Sequence, residues 1–434
     1  MTCPQRVGRY RQGMNPARGM SVGHALSRLA PTRRTVLGAG ALVGVGGLLA
    51  ACASPAPPSG GSPTSGPTGT GGVPATPFAL DATTMPKLDA LFDQVMTSTG
   101  IAGMAGAVWM GDKVWKRAGG YANLEQKTPY DPAANVRIAS VTKSFVATAV
   151  LQLVDAGALK LDDVLEKFVP GIANGPTITM RALLGMTSGI YDFTSNAAFN
   201  TTFDANPDMP WTFADTLAII KANQPLFAPG TNIAYCDSNY SILGEIIQMV
   251  TGKPARTVIA DSIAAKLSLT HTLWPADSTI PAPHPNGYVP QGLDPAKPNQ
   301  AFDNTAHPPK VVNAVNPAVA AGAGAIISSL DDLKVWGREI AEGSLLAPAT
   351  QAERLKARRF NGVPVNLGYG LGCERVNDFT GHNGAIYGFS TVVFRYPPDD
   401  LTLAVVGNES TNSTTPTSTF GYQFIRQFYP AQWT

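Results

Sequence analysis

The amino-acid sequence predicts an α+β fold in which strands from both ends of the chain share one sheet and helices fill the middle. Three observations carry this. Residues 104–110 and 113–118 have strand character around a Gly111-Asp112 turn, and so read as a hairpin. Residues 365–373, 388–396 and 401–408 return to strand character near the C-terminus. Between them, residues 179–184, 212–222 and 242–250 look helical, and strands that enclose a helical middle are expected to meet in one sheet.

Upstream of residue 78 the chain reads as an export signal and a tether. Residues 1–51 contain seven arginines and no Asp or Glu, and Arg33-Arg34 leads into the apolar run 36–51, the order of a secretory signal. Thr32-Arg33-Arg34-Thr35-Val36-Leu37 reads as a twin-arginine signal, and the apolar run is shorter than the roughly 20 residues of a spanning helix. The length ahead of the arginine pair points to Met14 or Met20 as the start of this signal. Leu49-Ala50-Ala51-Cys52 resembles a bacterial lipobox, implying cleavage before Cys52 and lipidation of its thiol; the alternative is an ordinary cleaved signal in which Cys52 is incidental. Residues 53–77 are almost wholly Ser, Pro, Gly, Thr and Ala, too poor in apolar surface to offset their ordering entropy. The expected organisation is therefore a signal over 1–51, a linker over 52–77 and a folded domain over 78–434, with the protein outside the cytoplasm and held to the cell membrane by its lipid.

Loss of the signal also changes the charge. The full chain carries 32 basic and 30 acidic residues, but removing seven arginines leaves a net charge of −5, which excludes a basic surface for nucleic acid.

Within the folded region, residues 86–99 carry Leu88, Leu91, Phe92 and Val95 at helical spacing behind Pro86 in the first turn. Residues 140–156 form a helix apolar on most sides, hence buried. The proline-rich passage 275–317 argues against regular structure. A turn over 324–329, a helix over 330–342 and a closing helix over 418–428 complete the pattern.

Ser140-Val141-Thr142-Lys143 opens the buried helix and sets an amine one turn from a hydroxyl, on the same face. That suggests a serine nucleophile activated by lysine, against the ordinary alternative of a helix start capped by Ser140. Alone the pattern is weak, since a chain of this length holds roughly one such spacing by chance. Tyr235-Cys236-Asp237 and His382-Asn383-Gly384 follow it in order.

These three motifs, with the flanking segments Gly120-Tyr121-Ala122-Asn123, 183–190, Pro229-Gly230-Thr231 and 381–394, resemble the penicillin-recognising serine hydrolases: D-alanyl-D-alanine carboxypeptidases, class C β-lactamases and related esterases. The likeness runs from about residue 85 to the C-terminus. It implies a β-lactamase/transpeptidase-like fold, an antiparallel sheet flanked by helices beside an all-helical lobe, with the site in the cleft between. It further implies that Ser140 is acylated, that Lys143 acts as base when neutral, and that Tyr235 relays the proton, its phenolate stabilised by Lys143 and His382. The backbone N–H groups of Ser140 and Ala385 would form the oxyanion hole, and Gly384 would let the strand pass close to substrate.

Two departures bear on substrate. Asp237 stands where the family usually has Asn, which favours the ammonium form of Lys143, shifts the burden of base towards Tyr235 and removes an N–H2 donor for the substrate. Weak β-lactam turnover is expected. His382 stands where class C β-lactamases have Lys, and it would hold a substrate carboxylate only while protonated, below a pKa near 6.5. Asn383 is expected at the substrate beside it. Met186, where many relatives carry His, is expected to pack.

Other chemistries fail on spacing. His271, His284 and His307 lack any metal-ligand pattern, and neither a G-x-S-x-G elbow nor a phosphate loop is present, so no metal or cofactor is expected. An exported protein permits a Cys236–Cys373 disulfide as the alternative, but Cys236 neighbours Tyr235, and two free buried thiols are the expectation. The function expected is a serine hydrolase acting on D-alanyl peptides, small esters or related amides; the alternative is a sensor or scaffold of the same fold that binds cell-wall peptides or β-lactams without turnover.

Overall fold

A nine-stranded antiparallel sheet runs through the centre of the computed structural model, which describes residues 78–433 apart from 294–299, 364 and 411–414. The expected signal, the lipobox with Cys52 and the tether lie outside the described residues. The strands are β1 (Gly103–Met110), β2 (Lys113–Asn123), β3 (Thr128–Pro129), β4 (Arg358–Arg359), β5 (Leu367–Tyr369), β6 (Glu374–Val376), β7 (Phe379–Ile386), β8 (Phe389–Tyr396) and β9 (Leu401–Gly407). Their spatial order is β3-β2-β1-β9-β8-β7-β6-β5-β4. The two ends of the chain meet where β1 pairs with β9, from Met104 opposite Gly407 to Met110 opposite Leu401, as the sequence pattern predicts.

Successive residues of a strand point to opposite faces, so each face needs its own cover. On one face lie helix α1 (Met85–Thr99), which buries Leu88, Leu91, Phe92 and Val95, and the closing helix α6 (Pro416–Phe428). Phe92, Trp115 and Phe420 join α1, β2 and α6, with the Trp115 and Phe420 rings stacked at 5.8 Å. Phe78, where the described chain begins, packs its ring against Phe424, Phe428 and Tyr429 on this side. On the other face lies α5 (Leu330–Glu342). The alternation is visible in two neighbours on β8: Val392 meets Gly421 of α6, and Val393 meets Gly337 of α5.

Behind α5 sits α2 (Thr142–Asp155), fixed to it by the stacked Phe145 and Trp336 rings and by Trp336 Nε1 donating to Ser144 Oγ at 2.8 Å. A helical lobe follows, with the short helices Met180–Leu184, Ala197–Ala205 and Phe213–Ala222, then α3 (Asp237–Thr251) and α4 (Pro317–Gly324). This is the sheet-plus-helical-lobe arrangement that the resemblance implies.

Several boundaries differ from the sequence expectation for physical reasons. Helix 140–156 is a 3-10 turn, Ala139–Val141, followed by α2. α3 starts five residues before the expected 242, because its first turn is polar yet buried and so carries no apolar period. Strand 365–373 shrinks to β5 because Gly372, at φ 81°, and the Gly370–Cys373 hydrogen bond turn the chain back into β6. The expected turn 324–329 contains Ile327–Ser328, paired with Val136–Arg137. The proline-rich passage is irregular where described, apart from the pairing of Tyr288–Val289 with Lys310–Val311.

α4 is broken at Ala321, whose φ of 40° and ψ of −133° are not helical, and Gly322 presses on α3 so closely that a Cβ there would lie 2.2 Å from the Tyr240 carbonyl oxygen. A Gly322→Ala variant is expected to push α4 off α3, lowering unfolding free energy by about 1–3 kcal/mol in a denaturant titration, the usual range for overpacking.

Candidate active site

Ser140 sits in the 3-10 turn that feeds α2, directly after Ala139, which is held at φ 49°. A residue with a side chain rarely occupies that left-handed region, so the turn needs support from around it. Part of it comes from Thr142 Oγ1, which accepts the Ile326 N–H at 3.0 Å.

One helical turn on, Lys143 is fully buried. Its Nζ lies 2.9 Å from Ser140 Oγ, 2.8 Å from the Ala323 carbonyl oxygen and 2.6 Å from Asp237 Oδ1. An ammonium has three N–H donors, and here each meets one acceptor. The nitrogen also stands 4.8 Å from the centre of the Tyr235 ring. Sequence reasoning pairs Lys143 with Ser140 and foresees Asp237 beside it; Ala323 had no signal beyond the Ala-Gly-Ala-Gly run after Pro317.

Tyr235 is held by Met186, whose carbonyl accepts the Ala234 N–H at 3.0 Å and whose sulfur accepts the Cys236 N–H at 3.3 Å. Met186 is buried and packs as expected. The Tyr235 hydroxyl oxygen is buried without a fully formed hydrogen bond, although the nearby Ser140 hydroxyl favours its ionised form slightly. Burial, then the Asp237 charge, hold the phenol well above its ordinary pKa. It therefore rests as a neutral O–H. Asp237 is the first residue of α3, its side chain about a quarter exposed; its Oδ2 has Thr194 Oγ1 at 3.5 Å. Cys236 and Cys373 are free and buried.

The third motif lies on β7. β6 pairs only with Phe379–Gly381, so from His382 onward that edge of β7 is left to the Ala139–Val141 turn. Gly384 makes the approach feasible: a Cβ there would stand 2.6 Å from the Ile138 carbonyl oxygen and 2.8 Å from Ser140 N. Its close neighbour is thus the Ser140 turn itself. Ser140 N and the backbone of Ala385 lie on these facing segments.

Two residues of this motif sit differently from the sequence expectation. His382 is fully buried, and burial, with the Lys143 charge, lowers its pKa to about 3. Its Nδ1 lies 2.5 Å from the Asn383 carbonyl, which can only accept, so Nδ1 donates and Nε2 accepts from the Tyr369 hydroxyl at 2.9 Å. It is a neutral, tautomer-locked ring against Tyr235, neither a cation for a substrate carboxylate nor a cation for a Tyr235 phenolate. The Asn383 side chain points to the other face of the sheet, where its Nδ2 lies 3.5 Å from the Tyr422 hydroxyl of α6, so strand alternation withdraws it from substrate.

Sequence reasoning also missed the polar group on that far face. Glu374 of β6 is buried and accepts from Tyr422 at 3.0 Å; burial raises its pKa from 4.5 to about 7. A raised carboxyl binds its proton more tightly folded than unfolded. Its contribution is therefore present below pH 4.5 and lost as pH rises through about 7. Glu374→Gln is expected to be more stable relative to wild type at pH 8 than at pH 4.5, with the difference growing by about 1.4 kcal/mol per pH unit at most across that window, as read by thermal unfolding.

A family model described as Beta-lactamase matches residues 88–424. A D-aminopeptidase of Cereibacter sphaeroides is 28% identical over 325 residues, which cover 72% of this chain and 58% of that protein. Protein flp of Staphylococcus aureus is 26% identical over 332 residues, covering 74% of this chain and 62% of that one. The chain thus spans about three fifths of the length of these relatives. Among solved structures, a D-stereospecific amidohydrolase from Streptomyces sp. is 27% identical with a TM-score of 0.68, covering 80% of this chain and 98% of that one. A D-amino acid amidase from Ochrobactrum anthropi SV3 shares the fold at 22% identity and a TM-score of 0.66, covering 81% and 98%.

Proposed function

The chain belongs to the beta-lactamase family and carries a serine-hydrolase site, and from that premise we propose an exported, lipid-anchored enzyme that forms an acyl-enzyme on Ser140. Its substrates are small amides, peptides or esters whose acyl part bears a free ammonium group. The observation that carries the hydrolase reading is the Lys143 nitrogen 2.9 Å from Ser140 Oγ with Asp237 on the nitrogen's other side. The D-configuration is drawn from the D-aminopeptidase and the D-stereospecific amidohydrolase to which the chain is similar.

Asp237 and Ser140 Oγ are both bonded to one nitrogen, so a group beside the scissile carbonyl is within reach of the carboxylate. An α-ammonium is such a group. A substrate carboxylate in its place would meet Asp237 and a neutral His382. Proton movement follows from the same contacts. With its own proton released to solvent, Lys143 takes the Ser140 proton as Oγ attacks while Asp237 stays ionised for the substrate's ammonium, and the neutral Tyr235 O–H protonates the leaving nitrogen or oxygen. Tyr235 then recovers a proton from Lys143, and water releases the acid by the reverse path. The oxyanion is held by the N–H groups of Ser140 and Ala385.

Export and anchoring are supported by the arginine pair Arg33-Arg34, the apolar run behind it and Cys52. Membrane partition of the full chain should fall for Cys52→Ala; equal partition would remove the anchor.

For the hydrolase, mass spectrometry after a fluorophosphonate should find an adduct on Ser140 and none in Ser140→Ala; no adduct on a folded domain would favour binding without turnover. D-alanine p-nitroanilide is expected to be cleaved with kcat/KM about tenfold above its N-acetyl derivative, and Asp237→Asn to erase that preference while raising acylation by penicillin.

A further inference from the structure

Behind Asp237 lies a second carboxylate that the mechanism does not use. Residues 190–193 lace onto the start of α3: Cys236 Sγ donates to the Ile190 carbonyl at 3.5 Å, Ser238 Oγ donates to the Tyr191 carbonyl at 2.9 Å, and the Phe193 N–H donates to Ser238 Oγ at 2.9 Å. Asp192, between them, is left facing the first residue of the helix. Only 5% of it is exposed. Its Oδ1 accepts the Thr194 N–H at 3.2 Å, and the nearby backbone N–H of Asp237 favours its ionised form.

We infer that Asp192 is a positioning residue of the ammonium subsite: it caps the segment laced onto the start of α3 beside Asp237 and, when ionised, adds a second negative charge behind the carboxylate that receives the substrate's ammonium. The inference rests on the Asp237 reading above.

The charges around Asp192 make its ionisation conditional. Asp237 on α3 faces it, the Cys236 and Tyr191 side chains feel its charge, and Lys143 of α2 stands beyond Asp237, committed to that carboxylate. Burial first, and then the Asp237 charge, raise its pKa to about 7. At lower pH the subsite holds Asp237 and Lys143, a balanced pair. Above it the subsite carries one net negative charge and attracts a cation more strongly.

D-alaninol tests this without catalysis, because it has an amine that stays charged over the range and no scissile bond. Its Kd for the wild-type protein, by calorimetry, should fall about three- to tenfold between pH 6 and pH 8, the effect of one added charge at close range in a partly screened site. Asp192→Asn should bind with a Kd flat across that range, and Asp192→Ser, which keeps an acceptor for the Thr194 amide, serves if the Asn variant misfolds. The same pH dependence in wild type and variant, a flat wild type, or no binding at either pH would overturn the inference. The fluorophosphonate adduct on Ser140 needs no ammonium, so it reports on the hydrolase separately: an adduct with a flat D-alaninol response sinks the role of Asp192 alone.

Discussion

The Lys143 ammonium is the joint on which the site depends. Its three acceptors come from three places distant in sequence: the Ser140 turn, the start of α3 and the broken end of α4. A buried ammonium without partners would cost several kcal/mol, so the interior around it is constrained to deliver all three at once. That requirement accounts for features that look costly when taken singly. Ala321 leaves helical geometry just before Ala323, Gly322 gives up its side chain to let α4 touch α3, and Ala139 adopts a left-handed backbone so that Ser140 faces the nitrogen. Such local conflicts persist where the surrounding fold over-determines them.

Much of the sheet was legible in the sequence because strands β1, β8 and β9 are largely apolar runs buried on both faces, and because helices α1 and α5 each bury one face at helical spacing. The Ser140–Lys143 pairing was legible because one helical turn sets the two on the same face, and Tyr235 was read from the resemblance that the three motifs carry. What escaped was set by contacts between distant segments. His382 reads as a titratable cation in sequence, and only its burial against Tyr369 shows it to be neutral. Asn383 adjoins it in the motif, yet strand alternation sends it to Tyr422. Ala323 contributes a backbone carbonyl, and no side-chain pattern announces one. The start of α3 was missed because its first turn opens on the polar residues Asp237, Ser238 and Asn239, where apolar periodicity fails.

The site also shows how one carboxylate changes the character of a shared fold. An amide at 237 could donate to a substrate; Asp237 can only accept while it is ionised, and it has Lys143 on one side and Asp192 behind it. Tyr235 is pushed the same way, its phenol kept neutral by burial and by the same charge. The polar centre therefore leans negative apart from the single ammonium, and with His382 neutral no further cation of the three motifs offsets it.

The aromatic clamp around Phe78 has a mechanical consequence. It fastens the entry of the chain to α6, on the face of the sheet opposite the one that carries α5, with α2 and Lys143 packed behind it. A pull on the chain upstream of Phe78 is therefore taken by rings on that far face, with the sheet between them and Lys143. The sheet thus buffers the Ser140 side against disturbance at the entry of the chain, besides serving as its scaffold.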